Sequence, residues 1–138
     1  LDGDAASAFT IHKVALGGSD PIELGLYRPA AAPLATTAIA IDRAVMLACI
    51  RAVDEDTAGI IAGAGLDLAA ATDTAGDATL DTITSHFYQR LLARDPLPTE
   101  LAAVRTLAVD DAAAPVSVRD FLVSSCFVTG TTSEFLFY

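Results

Sequence analysis

The 138-residue sequence contains no tryptophan, and aromatic residues make up only 7% of it. Hydrophobic residues nevertheless amount to 53%, and much of that fraction is alanine, which favours helix but buries little apolar surface per residue. The length suits one ordinary domain with one core. The sequence therefore predicts a core that depends on a limited number of large side chains.

Positive charge is also scarce. The chain has 8 Lys and Arg residues and 18 Asp and Glu residues, which gives a formal net charge of -10. Binding to phosphate backbones or to anionic membrane surfaces requires positive surface that this composition does not supply. The most apolar stretch, residues 35–53, is interrupted by Asp42, Arg43 and Arg51, whereas a membrane-spanning helix needs about 20 mainly apolar residues. We expect no nucleic-acid partner and no membrane span.

Recognisable catalytic and cofactor motifs are missing as well. The chain has two histidines, His12 and His86, and neither lies near a nucleophile elbow or at metal-ligand spacing. A cysteine nucleophile paired with His86 stays open as an alternative, with no spacing that favours it. The stretch LGGSDP lacks the lysine and the following helix of a phosphate-binding loop, and CxxCH is absent. We predict no catalytic residue and no cofactor, and we do not predict an enzyme.

The stretch at residues 54–77 contains several aspartates and raises the question of a calcium loop, since calcium takes carboxylate and carbonyl oxygens. With Asp54 as position 1 of an EF-hand loop, Asp56 and Gly59 fit positions 3 and 6. Gly65 stands at position 12, where a glutamate is required. An ordinary solvated loop is the alternative. We therefore predict no metal site.

Two features bear on the compartment in which the protein works. Cys49 and Cys126 are the only cysteines, so one disulfide is possible, and two buried free thiols are the alternative. The chain begins at Leu1 and not at Met, which indicates removal of a leader or of an upstream domain, although an engineered fragment would begin in the same way. We expect a secreted protein, extracellular or periplasmic.

The first 33 residues are predicted to form an arm. Apolar residues alternate with polar ones in residues 9–16 and 22–27, on either side of a Gly-containing loop, which predicts a β-hairpin. Two strands alone are marginally stable, so we expect their apolar side chains to contact another surface: Phe9, Ile11, Ile22, Leu24 and Leu26. Residues 28–33, RPAAAP, predict an extended connector, and residues 34–138 form the second predicted domain.

Helical patterns dominate the second domain. We predict helices from Thr36 or Thr37 to about residue 56, at 57–62, from Asp77 to about residue 95, from Thr99, and from Ser117 as N-cap. The final residues, TTSEFLFY, predict either a short helix or a strand. The predicted fold is mainly α, a small bundle of four to five helices with an N-terminal β-hairpin arm. The apolar C-terminal residues need cover, and we count them among the interface residues: Phe135, Leu136, Phe137 and Tyr138.

Residues 82–138 carry a pattern that resembles a known family. The elements are Phe87 or Tyr88, the pair Leu91 and Leu92, Arg94-x-Pro96 and Glu100-Leu101, followed after a gap by Ser133-Glu134-Phe135. The pattern resembles the C-terminal helical region of large secreted bacterial proteins of unknown function, which are often fused to cytochrome-c-like domains. The resemblance assigns no catalytic residue. It implies a structural role in which Arg94 satisfies helix-end carbonyls or pairs with Glu100 across the Pro96 turn, while Glu134 locks the last helix.

Two functional hypotheses follow. The first is a secreted structural or interaction protein, a self-assembling cell-surface or filament subunit that forms homo-oligomers or contacts other protein subunits. The second, implied by the resemblance, is a non-catalytic accessory domain or subunit of a larger secreted enzyme or electron-transfer complex. A small enzyme or a ligand-binding bundle is a third and weaker alternative.

Overall fold

The computed structural model describes residues 12–16, 18, 22, 36–56 and 59–136, and this part of the chain is mainly helical. The helices are α1 (Thr37–Asp54), α2 (Ile60–Gly63), α3 (Thr72–Ala75), α4 (Asp77–Leu92), α5 (Pro98–Arg105), α6 (Val118–Gly130) and α7 (Ser133–Leu136), with a 3-10 turn at Thr106–Ala108. Within these residues, no helix is both long enough and apolar enough to cross a membrane. The chain divides into two compact units, residues 1–51 and 52–138.

In the first unit, the described part of the predicted hairpin is not a strand. Residues 12–16 form a turn in which the Leu16 N–H donates to the His12 carbonyl at 2.9 Å. That bond joins residues four apart, as in a helical turn, and an extended strand would hold them roughly 13 Å apart. The prediction of a strand through residues 12–16 is therefore wrong, because the chain here folds into a turn closed by this hydrogen bond. The remaining hairpin residues, apart from Ile22, and the predicted boundary at residue 33 lie outside the described residues.

Helix α1 begins at Thr37, where the side-chain hydroxyl donates to the Ala15 carbonyl at 2.8 Å. This contact ties the turn at residues 12–16 to the start of the helix. Ala40 and Cys49 are the buried apolar residues of its first-unit part. Ile22, which is also described in the arm, is 93% exposed.

The second unit is built around the packing of α4 against α6, with α5 against α4. Helix α4 contributes a buried stripe at the spacing of one helix face, Leu80, Ile83, Thr84 and Tyr88. Helix α6 is buried along most of its length, and its largest fully buried side chains are Val118, Phe121 and Leu122. The buried hydroxyls of Ser125 and Thr129 donate to carbonyls one turn earlier, at 2.7 and 2.8 Å, so the core leaves them satisfied.

The start of α6 is fixed by a cap and by short backbone pairings. The Ser117 side chain accepts a hydrogen bond from the Asp120 N–H at 3.0 Å, which is the N-cap that the sequence predicts. Isolated antiparallel bridges join Ala71 to Ser117 and Val109 to Pro115. The first bridge holds the end of the loop between α5 and α6 against the segment before α3, and the second closes that loop on itself.

Candidate functional site

The most highly connected polar group among the described residues is the Arg94 cluster, which consists of Arg94, Glu100 and Glu134. Arg94 Nη1 and Nη2 donate to Glu100 Oε2 and Oε1 at 2.8 and 2.7 Å. Its Nε and Nη2 donate to Glu134 Oε1 and Oε2, both at 2.8 Å. The planar guanidinium therefore binds two carboxylates, each through two hydrogen bonds, which is the geometry that arginine suits best.

The local backbone places Arg94 between its partners. Helix α4 ends at Leu92, and the next residue, Ala93, adopts the left-handed conformation (φ 54, ψ 29) and turns the chain sharply. Pro96 follows in the extended connection, and Pro98 opens α5. Glu100 Oε2 also accepts the Leu97 N–H at 2.6 Å, so Glu100 satisfies a free amide at the start of its own helix.

Tyr88 completes the surroundings of this guanidinium. Arg94 Cζ lies 5.3 Å from the centre of the Tyr88 ring, within the range of a cation–π contact. Burial raises the pKa of Tyr88, and the negative charge of Glu100 raises it further. The phenol therefore keeps its proton at neutral pH and serves as a packing surface for Arg94.

The charges in the cluster stabilise one another. The hydrogen bonds from Arg94, followed by the one from the Leu97 backbone, lower the pKa of Glu100 from 4.5 to about 2. The Arg94 hydrogen bonds also lower the pKa of Glu134, and both carboxylates raise the pKa of Arg94. All three groups stay charged at neutral pH, so the cluster has no group poised for proton transfer. Its chemistry is that of a structural ion pair.

Two further arginines of the second unit join distant segments. Arg119 donates to Asp54 Oδ1 and Oδ2 at 2.7 and 2.8 Å, and Arg105 pairs with Asp81. Each pair lowers the pKa of its aspartate, mainly through the hydrogen bond from the arginine. Neither pair is predictable from the sequence, because ion pairs between helices leave no mark in local spacing.

A second candidate site is the His86 pocket, a cavity of about 150 Å³ within the second unit. Its lining is mostly apolar, with polar groups from His86, Asp56 and Arg90: Ala52, Val53, Asp56, Ile60, Ile61, Ile83, His86, Phe87, Arg90, Leu91 and Cys126. His86 Nε2 is buried and has no hydrogen-bond partner within the described part of the chain. A buried polar atom without a partner is uncommon in folded proteins.

The aspartates considered for calcium have another role in the structure. Asp56 Oδ1 and Oδ2 accept the N–H groups of Ile61 and Ala62 at 3.1 and 2.8 Å, so this carboxylate caps the start of α2. These bonds lower its pKa. Among the described residues, no three His, Cys, Asp or Glu side chains form a group able to hold a metal ion.

The remaining predicted site residues are distributed as follows. Cys49 and Cys126 are both disulfide-bonded, and neither is a free thiol. Phe135 is 38% exposed and lies within α7. Its N–H donates to Thr132 Oγ1, just before the helix, at 3.3 Å, so the final described segment is a helical turn. Other predicted interface residues lie outside the described residues: Phe9, Ile11, Leu24, Leu26, Phe137, Tyr138 and the side chain of Leu136.

No protein-family model matches the chain, and no curated protein or solved structure matches it significantly.

Proposed function

We propose that the chain is a non-catalytic structural subunit of a secreted or cell-surface assembly, and that it contacts further copies of itself. The observation that carries this proposal is the position of two exposed apolar residues beside the Arg94 cluster. Leu97 is 58% exposed and Phe135 is 38% exposed. The Leu97 amide binds Glu100, and Phe135 directly follows Glu134. Both exposed side chains therefore belong to segments that Arg94 holds.

A surface of this kind favours association for two reasons. Exposed aromatic and aliphatic side chains supply the apolar anchors on which protein interfaces depend. Side chains on a segment that is already fixed lose less conformational freedom on binding, so more of the burial contributes to affinity. The Arg94–Glu134 bonds fix the segment that carries Phe135. A further exposed apolar side chain, Ile22, lies near the other end of the chain, and a second contact surface there would permit ring or filament assembly.

The charge of the chain sets the conditions for assembly. Copies with a net charge of -10 repel one another at low ionic strength. Salt shortens the range of this repulsion to about 10 Å at 0.1 M. Association through apolar contacts should therefore increase as salt is added. The disulfide-bonded state of Cys49 and Cys126 fits the oxidising compartment of a secreted protein.

Sedimentation velocity tests the proposal at several protein concentrations, in low salt and in 0.5 M salt, which is about three times physiological ionic strength. We expect larger oligomers at higher protein concentration and at higher salt concentration. The variants Phe135→Ser and Leu97→Ser should reduce association while leaving the helical circular dichroism unchanged. Val109→Ser, at a residue that is 44% exposed elsewhere, is the matched control.

Two results would count against self-assembly. If the wild type stays monomeric under all these conditions, the accessory-domain alternative becomes the better hypothesis. If Val109→Ser reduces association as much as Phe135→Ser, the surface beside the Arg94 cluster has no special role.

A further inference from the structure

The His86 pocket has features of a binding site that the assembly role does not use. A cavity of about this volume, lined by aliphatic and aromatic side chains, is large enough for a benzene-sized molecule. Val53 and Ile83 contribute nearly fully buried apolar walls, and Phe87 adds an aromatic one. The apolar part of a ligand that fits here is therefore about six carbon atoms in size.

Arg90 supplies a charge that no carboxylate in the described part of the chain neutralises. Three other arginines of the second unit, Arg94, Arg105 and Arg119, each pair with a carboxylate. Arg90 lines the pocket and is exposed, yet it forms no ion pair with any residue that the structure describes. In a chain with 18 acidic residues, a guanidinium left without a carboxylate beside an apolar pocket is suited to an anionic ligand group.

The other polar groups of the pocket are consistent with one anionic group near Arg90. Asp56 also carries a negative charge, but its oxygens accept the α2 amides and do not pair with Arg90. His86 Nε2 can donate a hydrogen bond in the tautomer that carries its proton. This atom is buried, so contact with a ligand requires rotation of the imidazole about its second side-chain torsion, which is a broad one.

We propose that the His86 pocket binds a small apolar monocarboxylate. Its hydrocarbon part lies between Val53, Ile83 and Phe87, and its carboxylate binds Arg90 and accepts a hydrogen bond from His86 Nε2. The ligand is bound reversibly, with no chemical step. This inference is independent of self-assembly, since the pocket lies in a different set of residues from the Arg94 cluster.

Three matched probes test the proposal: benzoate, benzyl alcohol and benzylamine, which share a ring and differ in charge. Titration is followed by NMR of the full chain, with His12 as an internal control for the His86 imidazole signals. We expect saturable one-to-one binding of benzoate at millimolar concentration, as is reasonable for so small a ligand. Benzyl alcohol should bind more weakly and benzylamine most weakly.

Variants then assign the contacts. Arg90→Gln should lower the affinity for benzoate at least about threefold and leave the affinity for benzyl alcohol nearly unchanged. Arg43→Gln removes the same charge at an exposed residue that does not line the pocket, and should change neither affinity. His86→Phe keeps a ring but removes the unpartnered nitrogen, so benzoate should bind more weakly while the free energy of unfolding does not fall.

Three results would overturn the proposal. The first is the absence of saturable benzoate binding, which would leave water as the partner of His86 Nε2. The second is equal affinity for benzoate and benzylamine. The third is benzoate affinity that is the same in wild type, Arg90→Gln and His86→Phe. Each readout is made on folded protein, so loss of folding cannot be mistaken for loss of binding.

Discussion

Arg94 and Glu134 are 40 residues apart in the sequence and are joined by two hydrogen bonds of 2.8 Å, from Nε to Oε1 and from Nη2 to Oε2. The same guanidinium binds Glu100, so one side chain connects the end of α4 to both α5 and α7. The side chains of the three residues are about a third exposed. Solvent screening therefore reduces the strength of each pair, and the cluster matters mainly through its geometry.

The first prediction concerns that geometry. Arg94→Lys keeps the charge but cannot present paired donors to two carboxylates, and Arg94→Gln leaves Glu100 and Glu134 as neighbouring like charges. We expect the free energy of unfolding, measured in urea, to fall in the order wild type, Lys, Gln. Arg90→Gln, which breaks no ion pair among the described residues, is the charge-matched control. Equal midpoints for Arg94→Gln and Arg90→Gln would show that the cluster contributes nothing to stability.

The second prediction concerns acid. Because the folded-state pKa of Glu100 is lowered from 4.5 to about 2, its contribution to stability is fully present above the unfolded-state pKa. That contribution is lost as the pH falls from about 4.5 towards 2. Protonation of the other acidic groups also relieves repulsion within a chain of net charge -10, an effect of opposite sign. The comparison of wild type with Glu100→Gln isolates the first effect, since both share the second.

The measurement is urea unfolding at pH values from 2 to 7. We expect the stability difference between wild type and Glu100→Gln to be constant above about pH 5 and to shrink towards zero near pH 2. Carboxyl NMR of Glu100 checks the cause directly. Its pKa should rise in Arg94→Gln, and an unchanged pKa would contradict the assignment of the shift to Arg94.

How far the sequence predicts this structure depends on the range of each interaction. Helix α4 and the Ser117 cap follow from residues a few positions apart, and the sequence predicts both correctly. The Arg94–Glu100 pair, six residues apart, is one of the two roles that the resemblance implies for Arg94. The Arg119–Asp54 pair, 65 residues apart, depends on how helices meet, and nothing local indicates it.

The β-hairpin, in contrast, is predicted from a local pattern, and this prediction is wrong at residues 12–16. Alternation in residues 9–16 predicts a strand, but a strand also needs a partner to satisfy its amides. At residues 12–16 the chain forms a turn in which the Leu16 amide binds the His12 carbonyl, and the Ala15 carbonyl accepts the Thr37 hydroxyl. The role of Asp56 was missed for a related reason. Its carboxylate caps α2 from four residues before the helix, through a turn in which Asp56 itself has φ 42.

The third prediction concerns Ala93. A non-glycine residue at φ 54 is strained, because its Cβ approaches the following carbonyl. Ala93→Gly relieves this strain at the cost of a more flexible unfolded chain, and we expect a net gain of about 0.5 to 1 kcal/mol. Ala102→Gly, within α5, should instead lose about 0.5 to 1 kcal/mol. Urea unfolding gives both values, and a loss at Ala93 would mean that its Cβ makes contacts that outweigh the strain.

The fourth prediction concerns the cysteines. Both are disulfide-bonded and the chain has no others, so we predict that a non-reduced digest yields one linked pair of peptides, containing Cys49 and Cys126. Reduction should lower the free energy of unfolding by roughly 2 to 5 kcal/mol, as is usual for a native disulfide. The double variant with serine at both positions provides a check without reductant. A digest with both peptides unlinked would contradict the prediction.

The fifth prediction concerns Ile83, which is 1% exposed and lines both the His86 pocket and a second cavity beside Gly63 and Thr79. Because cavities lie beside Ile83, the neighbouring side chains are poorly placed to fill the space that a smaller residue leaves. The van der Waals contacts that Ile83 makes are then not regained. We expect Ile83→Val to cost about 0.5 to 1.5 kcal/mol and Ile83→Ala about 2 to 5 kcal/mol.

Val109→Ala, at an exposed position, is the control and should change stability by less than about 0.5 kcal/mol. Urea unfolding measures all three variants, and NMR with benzoate adds a second readout. An enlarged pocket in Ile83→Ala should accept a bulkier carboxylate, such as naphthoate, that the wild type excludes. A cost for Ile83→Ala no larger than that of Val109→Ala would mean that α4 does not pack as described, and the wall of the pocket would have to be assigned to other residues.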